Sequence, residues 1–293
     1  MKPSRAAASR AALFFAVVLA AVLTFASAGL APSAIAAVRA PHQTHAALRV
    51  LFVGNSLTYY NNLPALVETV YRSAVPKSDL HAEMLAQGGF LIRQHLKAGH
   101  LRQLLDAGHF DIVVLQEKGG LPFCAQSSDC DDCSFYEQCV DSPTALREAI
   151  ALIRMKGARA VLFGTWSGIP EQQTVLSNAL QRIAADTGAS LADVGAAMHQ
   201  FAYHPGKPAV WDATAHPTEI GSWLAAVMLV RAITDTTLPD VVPQKTCAPD
   251  WSHQKISGDS LASSQTPPPS RCFSLSKTDF EQLRFASISQ TAP

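Results

Sequence analysis

The chain has 293 residues, enough to bury a large core in one or two domains, and its 48% hydrophobic content is that of a globular protein. Charged residues make up only 16%, below the usual ~25%, and 23 basic side chains offset 23 acidic ones. With no basic excess and no single-sign block, the charge pattern points away from nucleic acid as a partner and from a charged interaction tail.

The first element reads as a targeting signal. Lys2, Arg5 and Arg10 form a positive n-region, and residues 11–25 (AALFFAVVLAAVLTF) form an apolar h-region. Small-residue cleavage sites follow as ASA, ending at Ala28, and AIA, ending at Ala36. The apolar run is shorter than the ~20 residues of a membrane span. A cleaved signal peptide within residues 1–36 is therefore expected, rather than an anchor. No cysteine precedes Cys124, so a lipid-modified N-terminal cysteine is excluded. The mature protein is expected to be secreted or periplasmic, with no stable membrane anchor after cleavage.

Strand candidates come next: RVLFV (49–53), HAEMLA (81–86), DIVVL (111–115), RAVLF (159–163) and SLADV (190–194). Amphipathic stretches separate them. Leu63, Leu66, Val67, Val70, Tyr71 and Ala74 recur at helical spacing, with Pro64 suited to a first turn. Residues 90–108, 142–157 and 170–188 read as helices too, the last two ending in glycine. This alternation predicts an α/β fold, with a parallel sheet of about five strands covered on both faces.

The six cysteines, an even number in an exported chain, read as disulfides. Cys124, Cys130, Cys133 and Cys139 form an insert with C-x5-C-x2-C-x5-C spacing. A zinc site usually pairs two CxxC units, and only Cys130–Cys133 is of that kind. Structural disulfides are expected in the insert, ahead of a metal site or a redox pair. Cys247 and Cys272 bracket a Pro/Ser-rich loop (258–271) and are expected to pair with each other. SLSKTDFEQLRFASI then reads as a last helix, so residues 237–293 are expected to form an extension packed on the main domain.

In a parallel sheet, ligands bind outside the carboxyl ends of the strands. Ser56 follows the first run, Gly88 and Gly89 the second, and Gln116 the third. Asp212 and His216 lie just before an apolar helix, and Pro217 biases His216 toward an extended conformation that keeps its imidazole in the loop. Each residue alone has an ordinary reading as a turn, a cap or a solvated side chain. Together they match acyl-transfer chemistry. A serine hydroxyl needs a base to take its proton, the base is typically a histidine oriented by an acid, and the oxyanion needs preorganised N–H donors. His95, His199 and His204 read as structural, and Trp166, after the fourth strand, as a packing residue ahead of a lining of the substrate cleft. No HExxH, Walker-type loop, GxSxG or Rossmann fingerprint is present.

VLFVGNSLTYYNNLP, AQGGFLIRQHL, DIVVLQE and DATAHPTEIGSWLAA together resemble the SGNH, or GDSL-like, hydrolase superfamily of esterases. The resemblance places a hydrolase domain over residues 48–236, with the cysteine-rich insert at 124–139. It implies a three-layer αβα fold of flavodoxin-like type, needing no metal or other cofactor. It makes Ser56 the nucleophile and His216 the general base oriented by Asp212, with the Ser56 and Gly89 amides in the oxyanion hole. Three departures stand out. The family's G-D-S is G-N-S, and Asp212 lies four rather than three residues before His216. The G-x-N-D block is replaced by LQEKGG, so Gln116 is expected to donate to the oxyanion, as it resembles the Gln–Glu pairs of some related acetylesterases. The expected function is an exported serine esterase acting on a small-molecule or carbohydrate ester, with an acetyl or short-chain acyl group. The rival readings are a lipase or phospholipid acylhydrolase of the same fold, and a non-catalytic binding module on this scaffold.

Overall fold

The first apolar run forms strand β1 (Leu48–Gly54), which alternates its side chains between two cores. A computed structural model of the chain describes residues 47–121, 136–202, 206–235, 245–252 and 265–288. The signal peptide expected in residues 1–36, Cys124, Cys130, Cys133 and His204 lie outside the described residues, as does the side chain of Cys139.

After β1 come the short helix α1 (Ser56–Tyr59), a 3-10 turn (Tyr60–Asn62) and α2 (Leu63–Ala74). Strand β2 (Leu80–Ala86) precedes α3 (Ile92–Lys97) and α4 (His100–Ala107). The single helix expected over 90–108 is thus two, broken at Gly99, whose φ of 75° a helix cannot continue. Strand β3 (Ile112–Gln116) and helix α5 (Tyr136–Met155) flank the insert. Then follow β4 (Arg159–Phe163), α6 (Pro170–Thr187), β5 (Ser190–Ala192), α7 (Val194–Ala202) and α8 (Glu219–Thr234). The described tail contributes β6 (Lys245–Pro249), β7 (Ser270–Ser274) and α9 (Lys277–Ile288).

The five-stranded sheet is parallel throughout, in the order β2-β1-β3-β4-β5. Val50 and Phe52 pack with α2, α7, α8 and α9 on one face, while Leu51 and Val53 pack with α3, α4, α5 and α6 on the other. That is the expected αβα arrangement of flavodoxin-like strand order. Its direction of winding reverses between β1 and β3, and a crevice opens at their carboxyl ends.

The described part of the tail is more ordered than a loop reading expects. Strands β6 and β7 form an antiparallel ribbon in which Cys247 faces Cys272, and a disulfide joins them. Glu219 at the start of α8 accepts hydrogen bonds from Arg271 (2.8 Å) and the Ser274 amide (3.0 Å), which ties the ribbon to the domain.

Candidate active site

The turn after β1 is built around one buried amide side chain. Gln116 Oε1 accepts from the Asn55 N–H (2.9 Å) and from Thr58 Oγ1 (2.8 Å). Its Nε2 donates to Asn55 Oδ1 (3.1 Å) and to the Glu117 carbonyl (2.6 Å). A Cβ at position 54 would lie 2.5 Å from Gln116 Oε1 and 2.6 Å from Thr58 Oγ1, so only glycine lets the amide enter. Gln116 is fully buried and does not line the cleft. The expectation that it donates to an oxyanion is corrected: both of its polar atoms are engaged in shaping the Gly54–Thr58 turn. Asn55, the residue that departs from G-D-S, donates to the Phe90 carbonyl (2.9 Å) and accepts from the Leu57 amide (3.1 Å), capping α1. His95 is buried beneath the turn with Nε2 2.8 Å from the Gly54 carbonyl. Burial lowers its pKa to about 4, so it stands neutral and donates this bond, in keeping with a structural reading.

The second half of the site is the loop from Val210 to Thr218. It closes as a narrow turn, with the Thr218 amide on the Val210 carbonyl (3.0 Å) and the Asp212 amide on the His216 carbonyl (2.8 Å). The extra residue in the Asp–His spacing is absorbed at Ala215, whose φ is 63°. Trp166 Nε1 donates to the Ala215 carbonyl (3.0 Å), and the residue lines the cleft, the second of the two roles its place after the fourth strand allows. A Cβ on Gly221 would come within 1.9 Å of the Val210 carbonyl, so glycine lets α8 pack directly under the loop.

These two halves bring Ser56 and His216 together. Ser56 Oγ lies 2.9 Å from His216 Nε2, although 160 residues separate them. Asp212 does not reach the imidazole as expected. His216 Nδ1 lies 2.8 Å from Thr214 Oγ1, and Thr214 Oγ1 lies 2.6 Å from Asp212 Oδ1. The same carboxylate oxygen accepts from the backbone amides of Thr214 (2.8 Å) and His216 (3.1 Å). The hydroxyl thus occupies the place expected for the acid, and no motif singled it out. Those bonds, the Thr214 hydroxyl foremost, hold the Asp212 pKa below the usual carboxylate value. Burial lowers the His216 pKa, and the Asp212 charge opposes that shift. Tyr60 stacks on the imidazole, with centroids 4.0 Å apart and planes at 14°.

Ser56, Gly89, Trp166, Thr214 and His216 share one cleft of about 400 Å³. Gly89 stands at a φ of 74° on its wall. Behind another wall, formed by Lys118, Gly119 and Gly120, Glu117 is buried and accepts from Lys118 N–H (2.8 Å), Ile92 N–H (3.3 Å) and Ser142 Oγ (3.1 Å). Burial pushes its carboxyl up to about 7, against those three donors. Among the described residues, no three His, Cys, Asp or Glu side chains are grouped to hold a metal ion. His199 Nε2 donates to the Ser167 carbonyl (2.7 Å), and its ring lies against Trp211.

No protein-family model matches the chain, and no curated protein matches it. Solved structures do. LAE5, described as an alpha/beta hydrolase enzyme from the metagenome of Lake Arreo, Spain, is 16% identical; the match covers 65% of this chain and 97% of that one, with a TM-score of 0.51. Axe2, an acetylxylan esterase from Geobacillus stearothermophilus, is 16% identical over 66% of this chain and 94% of its own, with a TM-score of 0.49. TesA is 17% identical over 64% and 98%, with a TM-score of 0.47. The likeness to LAE5 is one of fold, and it is the α/β fold that the SGNH-type motifs imply.

Proposed function

We propose that the protein is an exported serine ester hydrolase of SGNH type, acting on an acetyl or other short acyl group carried by a polar, carbohydrate-like alcohol. The observation that carries the reading is the 2.9 Å contact between Ser56 Oγ and His216 Nε2, at the crevice where the order of winding reverses. In the first half-reaction His216 takes the Ser56 proton as Oγ attacks the ester carbonyl, then returns it to the departing alcohol. Water repeats the sequence on the acyl-enzyme. The negative charge on the carbonyl oxygen is held by backbone amides. Ser56 heads α1, where the first N–H groups have no partner within the helix, and Gly89 stands on the cleft wall.

The acyl side follows from Gly119. A Cβ there would meet Trp166 O at 3.5 Å and Leu57 Cδ1 at 3.7 Å, both ordinary contacts. Leu57, Gly119 and Trp166 border this side of the cleft, which suits a short acyl group. The rest of the rim carries Lys118, Ser167 and Thr214, which suits a hydroxyl-rich alcohol. The N-terminal signal pattern supports export, and the Cys247–Cys272 disulfide is consistent with it.

A fluorophosphonate probe is expected to label Ser56, and Ser56→Ala to abolish hydrolysis while leaving the melting temperature unchanged. Nitrophenyl acetate is expected to be cleaved faster than the octanoate. Label on a different serine, or an active Ser56→Ala variant, would remove the reading. A preference for octanoate would turn it toward a lipase.

A further inference from the structure

We infer that Thr214 is a positioning residue that sets the tautomer of His216 and carries the influence of Asp212 to it, so that the working array is Ser56–His216–Thr214–Asp212. The inference rests on the hydrolase reading above and adds a member to its machinery.

Counting protons leads there. Asp212 is held below the usual carboxylate range and is ionised at neutral pH, so its oxygens only accept. Thr214 has one hydroxyl proton, and its oxygen lies 2.6 Å from Asp212 Oδ1. That proton is therefore committed to the carboxylate. Toward His216 Nδ1, 2.8 Å away, Thr214 Oγ1 offers only a lone pair. Nδ1 must then carry the ring proton, and in the neutral imidazole Nε2 is left bare. Nε2 is the atom 2.9 Å from Ser56 Oγ, and a bare nitrogen there accepts the serine proton. The hydroxyl is thus wedged between an acceptor that consumes its proton and a ring that must supply one. With Asp212 ionised and the imidazole neutral, as its lowered pKa favours, no other arrangement of protons satisfies the three contacts.

The surroundings reinforce this. Asp212 Oδ1 also accepts from the Thr214 and His216 amides, so the carboxylate is held by the loop as well as by the hydroxyl. Ala215 at positive φ is the extra residue that lengthens the Asp–His spacing to four, and the hydroxyl fills the added distance. Among the described residues, Asp212 acts on the imidazole, Tyr60 stacks on one face, Ser56 lies at Nε2 with Tyr59 hydrogen-bonded to it, and Lys118 shares the cleft. Tyr60 itself feels Asp212 and Asp250. As the imidazole takes up the serine proton, the new positive charge is shared with Asp212 through one polarised hydroxyl.

The test compares Thr214→Val, which keeps the shape and removes the hydroxyl, with Thr214→Ser, which keeps the hydroxyl and removes a methyl. Thr214→Val is expected to lower kcat by roughly 10²–10⁴, the range for a general base, with KM little changed. Fluorophosphonate labelling of Ser56 is expected to slow in parallel. The acid limb of the kcat/KM profile should move to lower pH, because the imidazolium loses its acceptor. Thr214→Ser should restore rate and profile. Asp212→Asn should shift the limb the same way, and the double variant should be no worse than Thr214→Val. A Thr214→Val enzyme with wild-type kcat and pH profile would overturn the inference. So would equal losses in the Val and Ser variants, which mean packing rather than a hydroxyl. Failure of the hydrolase reading looks different: the wild-type protein would then turn over no ester and label elsewhere.

Discussion

Gln116 makes four hydrogen bonds in a space closed to solvent, two as acceptor and two as donor. Its side chain therefore shapes the turn that carries Ser56 without facing the substrate. Removing it strands the Asn55 amide and the Thr58 hydroxyl, and each buried group left unsatisfied costs about 1–3 kcal/mol. Gln116→Leu, which keeps the volume, is expected to lower stability by that order and kcat together. Urea unfolding alongside steady-state kinetics checks this. A fall in kcat with unchanged stability would instead return Gln116 to the role of a direct donor. At the same scale, a Gln ending an apolar strand was visible in the sequence as chemistry-bearing. Which way its amide points was not, because that depends on the missing Cβ of Gly54 on the adjacent strand.

Elements position the site through two close approaches. One is at the joint between α1 and α2, where Asn61 and Asn62 stand at φ of 53° and 46°, a region that asparagine tolerates better than most residues. Asn61 Nδ2 donates to the Pro217 carbonyl and to Ser222 Oγ, both at 2.9 Å, and so ties the Ser56 side of the site to the His216 side. The other is Gly221 against Val210. Thr218 caps α8 there, accepting from the Gly221 amide (3.3 Å) and donating to the Ala209 carbonyl (2.6 Å). Gly221→Ala would force the helix and loop apart, and overpacking of this kind costs about 1–3 kcal/mol. We expect the melting temperature to drop by roughly 2–4 °C per kcal/mol in a domain of this size, with a larger proportional loss in kcat than in KM. Calorimetry and kinetics on the one variant settle it, and an unchanged kcat would mean the loop does not depend on this contact. Within the main domain, helix α7 went unread by periodicity. Its first apolar residues follow β5 after a single Asp193, so strand and helix merge into one apolar run.

Across the whole molecule, the reversal of strand order between β1 and β3 brings the ends of β1, β2 and β3 to one edge, where the cleft lies. The β6–β7 ribbon reinforces that edge. The Asn62 side chain donates to the Pro249 carbonyl (2.9 Å), and the Asn61 amide to Ser252 Oγ (3.0 Å), so the ribbon touches the α1–α2 joint directly. Its disulfide spans 25 residues, which on the chain-entropy account contributes about 3.5 kcal/mol. A protein carrying Cys247→Ser and Cys272→Ser is expected to unfold at lower denaturant by up to that amount. It is expected to lose some activity before global unfolding, as the joint loosens. Identical denaturation curves with and without the pair would show that the ribbon holds by hydrogen bonds and packing alone.

The five sheet strands, most of the helices between them and the chemistry at their ends were legible in the sequence; the break at Gly99, α7 and the β6–β7 ribbon were not. Apolar strands alternating with amphipathic helices have few ways to bury both faces of a parallel sheet, and a serine, a glycine pair and a histidine at strand ends and loop are legible as residue types. The pairing of Cys247 with Cys272 was legible for a similar reason, since both flank one turn-rich segment. The tertiary structure alone decided which polar side chains face the cleft and which turn inward. Gln116 turned into the core because a neighbouring strand offers a glycine-sized gap. Asp212 stayed one hydroxyl away from His216 because Ala215 lengthens the loop. Tyr60 came to stack on the imidazole across 156 residues of chain, as the Asn61–Pro217 bond over the same span shows. Such contacts depend on distances of a few tenths of an ångström between segments far apart in sequence, and no local pattern of residues encodes them.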